Sequence, residues 1–196
     1  LQGVMGRAYA RLQGEPEAVA QAIYEHYLPI RAGGPIPEEI EGAILSLADK
    51  MDTIVGCFGV GLIPTGTADP FALRRQTLGI IRIILEKPLR LSRSDFIDQA
   101  LPLLALQMTE PVKSVKQGVI EFFHGRLTHW LVSQDGYAPD VVEAALATGI
   151  DNLVDAVARV RALARFKARP DFESLAVAFK RVVNIIKDPE VALIDP

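Results

Sequence analysis

Apolar positions along the 196-residue chain recur at intervals of three and four, and no alternating run of β-branched residues bounded by turn chemistry appears. The pattern predicts helices over residues 1–12 and 15–27, with Pro16 suited to a first turn and Pro29 as a stop. After the turn at Ala32-Gly33-Gly34-Pro35, Pro37-Glu38-Glu39 opens a long helix with acidic groups at its positive end. Its expected core seam is Ile40, Ile44, Leu47, Met51, Ile54 and Phe58. Gly56, Gly59 and Gly61 loosen its end, and Pro64-Thr65-Gly66 makes a loop. Asp69-Pro70 reads as a cap for a helix over 71–86, whose Ile80, Ile81, Ile83, Ile84 and Leu85 imply burial on most sides. Further helices are expected from Ser92 or Ser94 towards Gln107 with a kink at Pro102, and over 111–132, 139–147 and 151–167. A last helix starts at Pro170-Asp171 and ends near Lys187. The fold class is all-α, one body of about nine helices with no internal repeat.

Composition narrows the class. With 49% apolar and 23% charged residues the chain is neither a disordered tail nor a low-complexity spacer. No uncharged apolar run reaches membrane-spanning length, and no signal peptide is read. Leu1 is not an initiator and falls within a helical pattern, so a fragment of a longer protein is expected. The single cysteine, Cys57, excludes a disulfide framework and a cysteine-based zinc site, suits a reducing cytosol, and reads as an inert core thiol.

The net charge of −3 is unevenly spread. Residues 159–187 carry eight basic side chains against Asp171 and Glu173, which leaves −9 on the remainder. In the last helix Phe172, Leu175, Phe179, Val182, Val183 and Ile186 form an apolar stripe, while Lys180, Asn184 and Lys187 share another face. One reading is a stripe that tracks phosphates, with Asn184 touching a base or ribose; the other is a solvated helix face. Nucleotide-binding glycine loops, a nucleophile elbow and the paired-histidine zinc motif are absent, and His124 and His129, five apart, fall on different helix faces. Adjacent Arg74 and Arg75 admit two roles: an internal ion-pair network with Asp49 or Asp52, the favoured one, or a phosphate clamp.

Six ordered blocks carry a resemblance across essentially the whole chain. They are Leu1-Gln2-Gly3-Val4-Met5-Gly6-Arg7, Ile23-Tyr24-Glu25-His26-Tyr27-Leu28-Pro29, Leu47-Ala48-Asp49-Lys50-Met51-Asp52-Thr53, the stretch from Pro64 through Asp69-Pro70-Phe71-Ala72-Leu73-Arg74-Arg75, Phe122-Phe123-His124-Gly125-Arg126-Leu127, and Ala178-Phe179-Lys180-Arg181-Val182-Val183-Asn184-Ile185-Ile186. In these blocks the sequence resembles the beta subunit of bacterial tetrameric glycyl-tRNA synthetase. The resemblance implies a cytoplasmic assembly of two alpha and two beta subunits, in which alpha holds the ATP and glycine site and beta engages tRNA(Gly). It implies that residues 1–170 are a helical domain related to HD-type metal phosphohydrolases, and that 171–196 lead towards an anticodon-binding domain mostly absent here. Long stretches of beta upstream and downstream are then missing.

The HD relationship supplies a rival function. Active HD enzymes hold metal with a His, a His-Asp pair and a later Asp. Asp49 resembles the last, but no His-Asp dipeptide occurs and His26 is followed by Tyr27. His26 and Asp49 are therefore read as vestiges, with no metal and no catalytic residue expected. The leading reading is a non-catalytic tRNA-engaging module with no cofactor of its own, partnered by alpha, tRNA(Gly) and the rest of beta. Its expected contacts are Arg165, Lys180, Arg181, Asn184 and Lys187, with Arg74 and Arg75 second. A metal-dependent phosphohydrolase and a pure scaffold are the alternatives.

Overall fold

The structure is a computed structural model, and it describes residues 3–186. Among these residues there are nine helices and no strand: α1 (Val4–Leu12), α2 (Glu17–Glu25), α3 (Ile40–Gly59), α4 (Leu73–Glu86), α5 (Arg93–Leu104), α6 (Val112–Ser133), α7 (Pro139–Leu146), α8 (Leu153–Lys167) and α9 (Phe172–Ile186). The all-α class and the order of elements match the sequence pattern. Helix α3 is the hub, packed against α2, α4, α5 and α6. Its Leu47, Met51, Ile54 and Phe58 are buried as expected. Ile40 and Ile44, expected on the same seam, are 46% and 59% exposed because they border an open groove between α3 and α5.

Opposite α3, α6 buries Val115, Val119, Phe123, Leu127 and Leu131, one residue every fourth position, while α4 buries Ile80, Ile81, Ile83 and Ile84. Arg82 interrupts that run by snorkelling: its Nε donates to Glu86 at 2.8 Å and Nη1 to the Gly34 carbonyl at 2.8 Å. Helix α5 ends two residues after Pro102.

Helix starts show where local chemistry overrode the sequence pattern. Asp69 does cap α4, but from further upstream: its carboxylate accepts from the Leu73 and Arg74 amides at 2.8 and 3.0 Å, and Ala72 turns through a left-handed φ of 54°. Ser92 and Asn152 cap α5 and α8, accepting from the Asp95 and Asp155 amides, and the two caps lie side by side in an antiparallel bridge. Asp151, expected to open α8, instead accepts from the Ser94 amide and so anchors α5 to α8.

Three side chains fasten the loop after α2 to α3. The buried Glu25 carboxylate accepts from the Gln21 amide group at 2.8 Å and from the Glu39 backbone N–H at 3.1 Å, which sets a negative charge at the N-terminus of α3. Ser46 Oγ donates to the Leu28 carbonyl at 2.7 Å, and Lys50 Nζ donates to the His26 carbonyl at 2.8 Å and to Ser46 Oγ at 2.7 Å. Gly42 lets Glu25 approach, since a Cβ there would stand 2.6 Å from the Glu25 Cβ. Gly42→Ala is accordingly expected to lower stability by about 2–3 kcal/mol, through overpacking and loss of the Glu25 bonds. Urea unfolding checks this, and an unchanged midpoint would refute it.

Candidate nucleic-acid interface

The basic side chains of α8 and α9 divide into bonded and free groups. Arg159 donates to the carbonyls of Ala145 and Gly149, and so holds the end of α7. Lys167 pairs with Asp140, holding that carboxyl below its ordinary range, and Arg169 meets Asp171 through two bonds of 2.8 and 2.9 Å. Arg161, Arg165, Lys180 and Arg181 remain exposed and, among the described residues, have no carboxylate partner. Asn184 is exposed one turn beyond Lys180, and Lys187 lies outside the described residues. The junction from α8 to α9 is held by an edge-on contact between Phe166 and Phe172. Beyond it the expected apolar stripe stays uncovered, with Phe179 66% exposed and Leu175, Val182 and Val183 also exposed.

Arg74 and Arg75 do not form the expected ion-pair network: among the described residues neither has a carboxylate within salt-bridge distance. Arg74 instead donates to the Gly66 carbonyl at 2.8 Å and the Ala68 carbonyl at 3.4 Å, folding the loop before α4 over its own first turn. A guanidinium can satisfy its fork on backbone carbonyls, so no buried carboxylate is required. Arg75 is exposed and reaches a cavity of about 250 Å³ together with Asp49, Lys50 and Gln76.

Lys50 is the functional-looking residue that sequence reasoning missed. It stands at 5% exposure, and burial holds its ammonium below the ordinary lysine range, at about 8, against the opposing pull of the Asp49 charge. Its position beside Leu47, Met51 and Ile54 on the wheel of α3 was the available signal. His26 lies against Tyr27, ring centroids 4.0 Å apart, and its Nδ1 is buried without a hydrogen bond. No three His, Cys, Asp or Glu side chains converge among the described residues. The cation beside Asp49 is the Lys50 ammonium, which repels a divalent ion, so the donor set does not suit a metal centre. Cys57 is half-buried and burial pushes its thiol up, away from a reactive thiolate. Among the described residues no helix is long and apolar enough to cross a membrane.

The class defined by these features is an all-helical protein with a cationic end and a separate small polar cavity. Residues 1–147 match the family described as glycyl-tRNA synthetase beta subunit, and the chain belongs to that family. It is 60% identical over 188 residues to the glycine–tRNA ligase beta subunit of Geobacter sulfurreducens, covering 96% of this chain and 27% of that protein. It is 53% identical over 196 residues to that of Syntrophus aciditrophicus, covering 100% and 28%. The chain thus spans little more than a quarter of the length of the curated relatives it matches.

The depressed Lys50 pKa has a pH consequence. An unfolded lysine keeps its proton to about 10.5, so between about 8 and 10.5 the unfolded chain binds more protons and the folded state gains stability. Below about 8 both states are charged and the burial cost is felt in full. The stability of the parent relative to Lys50→Met is expected to rise by about 2 kcal/mol from pH about 7.5 to about 9.5. Urea unfolding at both pH values tests it; parallel curves would contradict it.

Proposed function

We propose that this chain is a non-catalytic, tRNA-engaging helical module of a glycyl-tRNA synthetase beta subunit. It supports the ATP-dependent attachment of glycine to tRNA(Gly), carried out at the alpha subunit in the cytoplasm. In this reading residues 1–170 are an HD-like helical domain and 171–196 lead towards an anticodon-binding domain. The observation that carries it is the set of exposed cations at Arg165, Lys180 and Arg181, without carboxylate partners among the described residues and joined by Asn184, in a chain of this family. Such groups bind phosphates at little desolvation cost, whereas the bonded Arg159, Lys167 and Arg169 would first have to give up a partner. Arg75 and Lys187 are secondary contacts, and Arg74, bonded to the Gly66 and Ala68 carbonyls, holds the loop before α4 against the turn of helix that carries Arg75. The exposed apolar groove between α3 and α5, rimmed by Ile40 and Ile44, favours an additional role as a support for the rest of beta.

In the alpha–beta assembly, Lys180→Glu with Arg181→Glu is expected to weaken tRNA(Gly) binding by at least about tenfold. The slope of log affinity against log salt becomes shallower by roughly 0.7–0.9 for each phosphate no longer neutralised. Helix content by circular dichroism stays unchanged. Equal affinity and an equal salt slope in parent and variant would overturn the proposal.

A further inference from the structure

The cavity between α3, α4 and the loop after α2 holds groups that neither the core nor the α8–α9 face uses. Lys50 spends two of its three N–H donors on neutral oxygens, those of His26 and Ser46, and among the described residues no carboxylate pairs with it. A nearly buried ammonium with a donor to spare, facing a cavity, calls for an anion. Arg75, which makes neither a side-chain hydrogen bond nor an ion pair among the described residues, supplies a second cation from the α4 side of the same cavity. Two exposed aromatic rings, Tyr27 and Phe71, line it as well. The exposed Asp49 carboxylate opposes a bare anion but accepts from a hydroxyl, so the ligand carries a phosphate and a hydroxylated portion together.

We infer that this cavity binds a single nucleotide: its phosphate between Lys50 and Arg75, its base against Tyr27 or Phe71, and a ribose hydroxyl donating to Asp49. The volume of about 250 Å³ is below that of most ligand pockets, so it takes the phosphate and sugar of one nucleotide, with the base left at the rim beside the exposed Tyr27 and Phe71, and excludes a helix. Stacking on an aromatic face tolerates any base, so the site discriminates by phosphate and sugar more than by sequence. Choosing a nucleotide among phosphate esters rests on the nucleic-acid reading of the preceding subsection; the pairing of Lys50 with Arg75 does not.

Isothermal titration of the 196-residue chain with the four ribonucleoside 5′-monophosphates, and with inorganic phosphate, tests the inference. Nucleotides are expected to bind at least about tenfold more tightly than phosphate, and Arg75→Glu, on an exposed position, to weaken them by at least about tenfold. Phe71→Ala combined with Tyr27→Ala weakens nucleotides and leaves phosphate binding alone. Lys50→Met, checked for folding by its unfolding curve, abolishes both. A short single-stranded RNA that competes with the nucleotide identifies an RNA end as the source; one that does not compete identifies a free nucleotide, and either result upholds the site. Absence of binding at millimolar nucleotide, equal binding of nucleotide and phosphate, or full affinity in Arg75→Glu overturns it. The Lys180→Glu and Arg181→Glu variant keeps its nucleotide affinity, so a failure here is distinguishable from a failure of the tRNA proposal.

Discussion

The fastening of the α2–α3 loop by buried polar side chains is the constraint on which the rest of the domain depends. Where the loop tucks Leu28 and Pro29 against the core its carbonyls must find donors, and Ser46 and Lys50 reach out from the central helix to supply them for Leu28 and His26. Glu25 completes the arrangement at the head of α3 by accepting the Glu39 amide. Because the helix supplying these donors also carries Met51, Ile54 and Phe58 into the core, loop position and core registry are set together. Gly79 closes the other side: a Cβ there would sit 3.2 Å from Pro29 and 3.3 Å from the Lys50 stem, so the bare backbone lets α4 press against both.

The same fastening makes the surface chemistry uneven. Holding the loop with an ammonium rather than a neutral donor leaves a positive charge under the surface beside the cavity. Elsewhere, α8, α9 and the junction between them carry cations that either have a partner or, among the described residues, have none. Arg159, Lys167 and Arg169 fix the local fold, and Arg161, Arg165, Lys180 and Arg181 do not. A count of basic residues in the sequence gives both groups the same weight. The geometry separates them, and only the second group stands without a carboxylate partner among the described residues.

Much of the architecture was readable because helical periodicity is a local property. The Leu47-to-Phe58 part of the α3 seam and the isoleucine run of α4 needed no knowledge of partners, and the proline and serine punctuation located most helix ends within a few residues. What escaped was tertiary. Ile40 and Ile44 continue the α3 seam by spacing, yet among the described residues no neighbour covers them. Arg74 reads as one half of an ion pair, because nothing in a sequence says that a nearby turn will offer carbonyls at Gly66 and Ala68. Lys50 hides between two aspartates with more obvious chemistry, although its wheel position points inward. The resemblance placed the chain in its family from ordered blocks, but the cavity beside Asp49 comes from residues of three separate segments and was legible only once folded.

Helix α9 illustrates how a single unsupported element behaves. Its fifteen residues sit near the length at which a solitary helix is barely favoured over coil, and the side chains of residues 173–184 are all exposed, so tertiary burial adds little there to hydrogen bonding along its axis. Its backbone therefore opens at low free-energy cost while the hub around α3 stays closed, and its amides exchange with solvent far ahead of those in the interior. Any surface that covers Phe179 and Val182 lengthens the lifetime of this helix, so its exchange rate works as a gauge of whether the neighbouring parts of an assembly are in place.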